Sequence, residues 1–349
     1  MKMDQEYSLQ KAADTLVLEL FEIRPGETFV ITTDTESDER VVEATARAAA
    51  SAGAKVMVVV IPAPHGVSLA ADPMLPVESL IGILKHADAW AEFNKKWLLY
   101  STPYNETMKQ NQQIRHMCLT GATVSTMVNC VGKVNYPVLK QFGDKLTQKI
   151  IQAKQVRMTS SQGEDISFEN VAGRPVFCDL GYANDPGTHM LAGQISWTPD
   201  LESINGVIVL DGSIAPGIGL VKRPVKICVR NGVITSIEGG QEAKMYEQWL
   251  RGFNHPQMLS VAHTGLGFNP GAMLWGDIIQ DQRVWGSTTW GFGSIGPDLF
   301  PPSGKPGPSH SDAVSLNTSI ILNGNDVIKE GEVIDDELKG LASQLKRVG

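Results

Sequence analysis

The sequence predicts an α/β N-terminal domain, residues 1–155, followed by an α+β, strand-rich C-terminal domain, residues 156–349. Two observations carry this reading. Up to about residue 155, amphipathic helical stretches alternate with short apolar runs, the pattern of βαβ units with parallel strands. Beyond it the texture changes to short alternating runs separated by turn residues. The length of 349 residues allows one large domain or two ordinary ones, and 42% apolar with 19% charged residues describes a chain that buries a core.

In order along the chain, residues 5–21 read as an amphipathic helix stopped near Pro25-Gly26, and "TFVITTD" (28–34) as a short buried strand. "DERVVEATARAAASA" (38–52) is Ala-rich with acids at its start and Gly53 at its stop, which predicts a helix leading into the strand "KVMVVVIP" (55–62). No GxGxxG follows the first strand, so the dinucleotide fingerprint is absent. A helix near 76–87, apolar segments at 88–93 and 117–121, and a long helix over 136–155 complete the first half. In the second half "QVRMTSSQGEDISFE", "RPVFCD", "INGVIVLDG" and "VKICVRNGVITSIEG" read as strands, with Asn231-Gly232 a hairpin turn. A helix at 242–252 precedes the glycine-rich region 263–308, whose length and bias point to a functional loop or a ligand-lined wall.

Composition excludes several classes. The formal net charge is -8 with no Lys/Arg block, which argues against a nucleic-acid partner. No apolar stretch reaches the 18 residues of a membrane span, and the N-terminus carries acids early, unlike a secretory signal. Cys118, Cys130, Cys178 and Cys228 have no CxxC spacing and lie in or beside apolar runs, so they read as reduced core thiols of a cytoplasmic protein.

One motif raises a chemical question. In "GPSHSDAVSL" (307–316), His310 and Asp312 stand two positions apart, and in an extended segment such residues share a face. A metal site explains the pair, and so does a surface turn entering a strand. Of the remaining histidines, His65, His86, His116 and His255 read as structural or surface residues, whereas His189 in "ANDPGTHMLAGQ" and His263 in "SVAHTGLGFNPGA" have richer surroundings. His263 with His310 and Asp312 gives two imidazoles and one carboxylate, the ligand set of a non-haem ferrous site. HxD spacing also arises by chance, so the residues alone leave both readings open.

The segments "DLGYANDPG" (179–187), "HMLAG" (189–193), "NGVIVLDGS" (205–213), "HTGLGFNPGA" (263–272) and "HSDAVSL" (310–316), in this order and spacing, resemble the 2,5-dihydroxypyridine 5,6-dioxygenases, which are themselves similar to a family of two-metal aminopeptidases. The likeness covers most of the chain and is clearest from about 176 to 325. It implies an aminopeptidase-like two-domain architecture. The aminopeptidases carry glutamates where this chain has His263 and Gln194 and a histidine where it has Thr289, and their catalytic tyrosine has no counterpart at the expected distance. The set that remains suits one metal rather than two.

The resemblance implies Fe(II) held by His263, His310 and Asp312, with a small aromatic substrate and dioxygen as reactants. The implied reaction is extradiol-like cleavage of 2,5-dihydroxypyridine or a close hydroxylated N-heteroaromatic to an N-formylmaleamate-type product, in a homo-oligomer. His189 matches a histidine that acts near the substrate and is the candidate acid–base group. Asp179 matches a supporting glutamate of the family, and Tyr100 matches another active-site histidine. Both departures fall on substrate-handling positions rather than on the metal ligands. A metal-dependent hydrolase, either an aminopeptidase or an amidase, is the alternative on the same scaffold. Trp275, Trp285, Trp290 and Phe292 read either as stacking walls for a ring or as packing.

Overall fold

The computed structural model describes residues 2–345 and 347, and the chain divides into two compact units, Met1–Val134 with Asp179–Ala192, and Asn135–Cys178 with Gly193–Gly349. The N-terminal region is mixed α/β and the C-terminal region strand-rich, as the patterning predicts.

The first unit is built on a five-stranded, all-parallel sheet with the spatial order Lys55–Ile61, Thr28–Asp34, Ala89–Glu92, Arg115–Cys118, Gly187–Met190. Crossover helices connect the first four strands, as parallel neighbours require. The helix Glu39–Ser51 starts where the side chain of Asp38 accepts the Arg40 backbone N–H, and it buries Val41, Val42, Ala44, Ala48 and Ala49 on one face. Val30, Leu80, Leu84, Trp90, Leu98 and Ile114 form a buried cluster on this sheet. The helix expected over 5–21 is α-helical over Lys2–Asp14 and widens to a π-helical segment, Thr15–Leu20, that buries Leu16, Val17 and Leu20.

The units divide at Val134/Asn135 rather than near 155, and residues 179–192 belong with the first. The helix Tyr136–Gln152 joins the second unit because its buried face packs there, with the Phe142 ring 5.6 Å from Phe268 and 5.3 Å from Trp285. Gly187–Met190 joins the first sheet beside Arg115–Cys118, an assignment its four-residue length leaves invisible in sequence.

The second unit holds two mainly antiparallel sheets, of eight and seven strands. The hairpin Val225–Arg230 to Val233–Glu238 turns at Asn231 (φ 50°) and Gly232 (φ 73°), the left-handed pair that a two-residue turn of this type needs. The glycine-rich region 263–308, read from sequence as a functional loop or a ligand-lined wall, is mostly strand rather than loop. It supplies three adjacent strands of the seven-stranded sheet, Val261–Gly267, Thr288–Ile295 and Lys305–Ser315, and only the stretches between them are connections. The four cysteines form no disulfide among the described residues, Cys118 and Cys130 being buried and Cys178 and Cys228 only half-buried, which corrects the expectation of four core thiols. Among the described residues no helix is long and apolar enough to cross a membrane.

Behind the seven-stranded sheet lies a buried acid. Glu164 is 2% exposed and accepts from Trp290 Nε1 (3.1 Å), Ser315 Oγ (3.4 Å) and Thr318 Oγ1 (3.4 Å), tying three chain segments together. Burial, reinforced by the charge of Asp211, pushes its carboxyl up to about 8 against the opposing hydrogen bonds. The folded protein therefore keeps a proton that the unfolded chain releases above its ordinary value near 4.5. This stabilisation is complete below pH 4.5 and is lost as pH rises toward about 8, at roughly 1.4 kcal/mol per pH unit at most. Glu164→Gln is expected to flatten that part of the curve, which melting temperatures at pH 5, 6, 7 and 8 will read. Parallel wild-type and variant curves would contradict a buried neutral acid.

Candidate metal centre

Three neighbouring strands of the seven-stranded sheet assemble the site. The register pairs His263 with Gly291 and Gly291 with Asp312, so an imidazole and a carboxylate flank a glycine in one row on one face. His310, two residues before Asp312, pairs with Gly293 and stands on the same face. The sequence "TTWGFGSI" (288–295) alternates large and small residues, and this alternation shapes the site. Trp290 and Phe292, both fully buried, point to the opposite face, where Trp290 reaches Glu164 and Phe292 meets Tyr246. Gly291 leaves the site face flat, and the His263 ring lies over it: a Cβ at 291 would fall 2.3 Å from Cδ2 and 2.4 Å from Nε2.

The donor atoms converge. His263 Nε2 is 3.0 Å from Asp312 Oδ1, His310 Nε2 is 3.3 Å from the same oxygen, and the two Nε2 atoms are 3.3 Å apart. The imidazole rings stack at 5.2 Å with a 12° interplanar angle. Among the described residues these three form the one group of His, Cys, Asp or Glu donors, each within 4.8 Å of the others, able to hold a metal ion.

Hydrogen bonding fixes one tautomer. His310 Nδ1 lies 2.7 Å from the Ser294 carbonyl oxygen, which can only accept, so Nδ1 carries the proton and the Nε2 lone pair faces the cluster. Burial raises the Asp312 carboxyl, but His310 and His263 outweigh it and hold the group far below the usual carboxylate range. Burial lowers His310, and the adjacent Asp312 charge, its hydrogen bond and the Ser294 carbonyl together raise it above the ordinary histidine value. Two imidazole nitrogens facing each other across one anionic oxygen form a donor set that a divalent cation satisfies at once. The buried Nδ1 of His263 has no hydrogen-bond partner among the described residues, leaving Nε2 as the ring's one engaged atom. The residues fit a single metal ion.

His189, Asp179 and Tyr100 lie in the first unit. His189 sits on the short strand Gly187–Met190, and its Nε2 is 2.9 Å from the Asp185 carbonyl oxygen, which places the proton on Nε2 and leaves Nδ1 as a base. Asp179 ends the strand Val176–Asp179 and is half-buried. Tyr100 is 55% exposed with φ 65°, its ring 5.7 Å from Tyr104 and its carbonyl accepting from Asn105. Of the four aromatic candidates, Trp290 and Phe292 are core residues, Trp285 packs on Phe142, and Trp275 is 59% exposed. Sequence reading missed Gly291, whose period-two alternation with Trp290 and Phe292 was the available signal, and Ser294, which acts through its backbone carbonyl and so leaves no side-chain signal.

Comparison with known proteins agrees with this geometry. Residues 11–335 match the family model NicX, 2,5-dihydroxypyridine 5,6-dioxygenase. A curated 2,5-dihydroxypyridine 5,6-dioxygenase from Pseudomonas putida KT2440 is 27% identical over 200 residues, 53% of this chain and 56% of that protein, so the match spans little more than half of the relative's length. Among solved structures, a 2,5-dihydroxypyridine dioxygenase from Pseudomonas putida KT2440 superposes with a TM-score of 0.77 at 21% identity, covering 95% of this chain and 98% of that one. Wild-type AmpT from Thermus thermophilus gives 0.69 at 13% identity, covering 94% and 99%, a likeness of fold. With a family model spanning nearly the whole sequence, the chain belongs to the NicX 2,5-dihydroxypyridine 5,6-dioxygenase family.

Proposed function

We propose that the protein is a non-haem Fe(II) dioxygenase that opens the ring of 2,5-dihydroxypyridine or a close hydroxylated N-heteroaromatic, giving an N-formylmaleamate-type product. The observation that carries this reading is the His263, His310 and Asp312 cluster, in a chain of this family. These three residues would hold the iron, which, when bound, supplies adjacent positions for the substrate oxygen and dioxygen and a path for electrons between them. Asp312, the single carboxylate of the set, would contribute one negative charge to the metal's donors. Ser294 fixes the His310 ring so that Nε2 faces the cluster.

His189 is assigned the proton transfers: Nδ1 takes the hydroxyl proton of the substrate and returns one later, while the Asp185 carbonyl keeps Nε2–H in place. Asp179 and Tyr100 are assigned supporting roles at the substrate end. The two compact units are read as an α/β domain and a metal-holding, strand-rich domain of the aminopeptidase-like kind, in a cytoplasmic homo-oligomer.

Oxygen uptake tests the reading. Iron-loaded protein is expected to consume one O2 per 2,5-dihydroxypyridine, and zinc-loaded protein none. His189→Asn is expected to lower kcat by about 10²–10⁴-fold while leaving iron content unchanged. No uptake by protein holding one iron per chain would remove the substrate assignment, and an unchanged kcat in His189→Asn would remove the acid–base role.

A further inference from the structure

We infer that Gln194 is a specificity-determining residue, whose carboxamide pairs with the lactam edge of the substrate ring; the inference rests on the ring-opening reading above. Gln194 begins the strand Gln194–Trp197, which pairs with Val261–Gly267 on the edge away from Thr288–Ile295, with Gln194 opposite Gly267 and Ser196 opposite Gly265. Its Nε2 lies 3.3 Å from where a Cβ on Gly265 would stand. Gly265 is two residues from His263 on the same strand, so the carboxamide occupies the metal face of the sheet. On the other side of Gly265, paired with it directly, is Thr289, whose Cβ is 3.6 Å from the same point.

Gln194 is only 5% exposed. Beside it Thr289 is fully buried, and its Oγ1 has no hydrogen-bond partner among the described residues. A buried hydroxyl without a partner is costly, and a carboxamide and a hydroxyl meeting over one glycine mark a place built to read a polar ligand.

Shape selects the ligand edge. A 2-hydroxypyridine in its lactam form presents an N–H donor and a C=O acceptor side by side. A carboxamide presents the complementary C=O and N–H2, so the two close a cyclic pair of hydrogen bonds. The rows of Gly265 and His263 are two residues apart, roughly 6.6 Å along the strand. In the substrate the C5 oxygen and the N1–C2 edge lie at opposite ends of the ring, so a ring held at the cluster by the first presents the second away from it. Glycine at 265 and 291 lets the Gln194 carboxamide and the His263 ring lie close over the strands.

The test is calorimetric binding to anaerobic iron-loaded protein, with iron content measured for each sample. Wild-type protein is expected to bind 2,5-dihydroxypyridine about 10–100-fold more tightly than hydroquinone, which lacks the lactam edge, or the N-methyl lactam, which lacks the donor. Gln194→Leu is expected to lose that preference while binding hydroquinone as wild type does. If wild type binds the lactam and its N-methyl derivative equally, Gln194 does not read this edge, whatever the variant does. An undiminished lactam preference in Gln194→Leu would also overturn the inference. Wild-type protein that holds iron but ignores 2,5-dihydroxypyridine would defeat the substrate reading and this inference with it.

Discussion

His263→Ala is expected to reduce bound iron from one per chain to background and to abolish ring opening, with the far-ultraviolet spectrum and melting cooperativity unchanged. The reason is the economy of the cluster. It has three donors, and His263 Nε2 makes the shortest contact with Asp312, at 3.0 Å. Removing one of three ligands leaves a HxD pair on one strand, and binding free energy at such sites depends on every donor being present. The fold bears the change because His263 packs on a glycine rather than in the apolar core, while its neighbour Thr264 faces the other way and donates to the Thr289 carbonyl. A loss of at least about 10³-fold in turnover is expected, since nothing else in the cluster supplies the missing donor. Iron analysis after desalting, beside oxygen uptake, checks both parts. Full iron occupancy in His263→Ala would remove His263 from the ligand set.

Gly291→Ala is expected to weaken iron binding by about 100-fold or more without touching a ligand, an effect at the upper end for residues that orient ligands. Gly291 does not adopt a left-handed backbone, so alanine is tolerated by the strand itself. The added methyl would lie 2.3–2.4 Å from the His263 ring, a distance no contact permits, and the ring must swing away from Asp312 and His310. Gly296→Ala, where nothing stands within 4 Å, serves as the control in the same hairpin. Iron affinity measured by competition with a chelator is expected to fall in the first and hold in the second. Equal affinity in both would show that the His263 ring does not need the flat floor.

What the sequence revealed follows from the range of the forces involved. Local signals were legible: Asp38 as a cap, Asn231-Gly232 as a turn, and the apolar runs that became the parallel strands. The HxD pair was legible as two donors on one face of a strand, whereas grouping His263 with it as a metal site needed the family resemblance beside the pattern; the structure brings the three donors together. Long-range pairing was not. Gly187–Met190 is too short to declare which sheet it joins, and Tyr136–Gln152 reads as the close of the first half although its aromatic face packs with Phe268 and Trp285. The strands within 263–308 were hidden because glycine weakens strand propensity, and here it serves close approach instead. Trp290 and Phe292 faced away from the site because a period-two pattern cannot say which face holds the chemistry.

If His263, His310 and Asp312 hold iron for ring opening, both atoms of dioxygen enter the product. A single turnover of iron-loaded protein with 2,5-dihydroxypyridine under ¹⁸O2 tests it most directly, read by mass spectrometry of the product. A ring-opened product carrying both atoms of one labelled dioxygen is expected, absent with zinc-loaded protein. A product with no label, or with oxygen drawn from water at both positions, would contradict it.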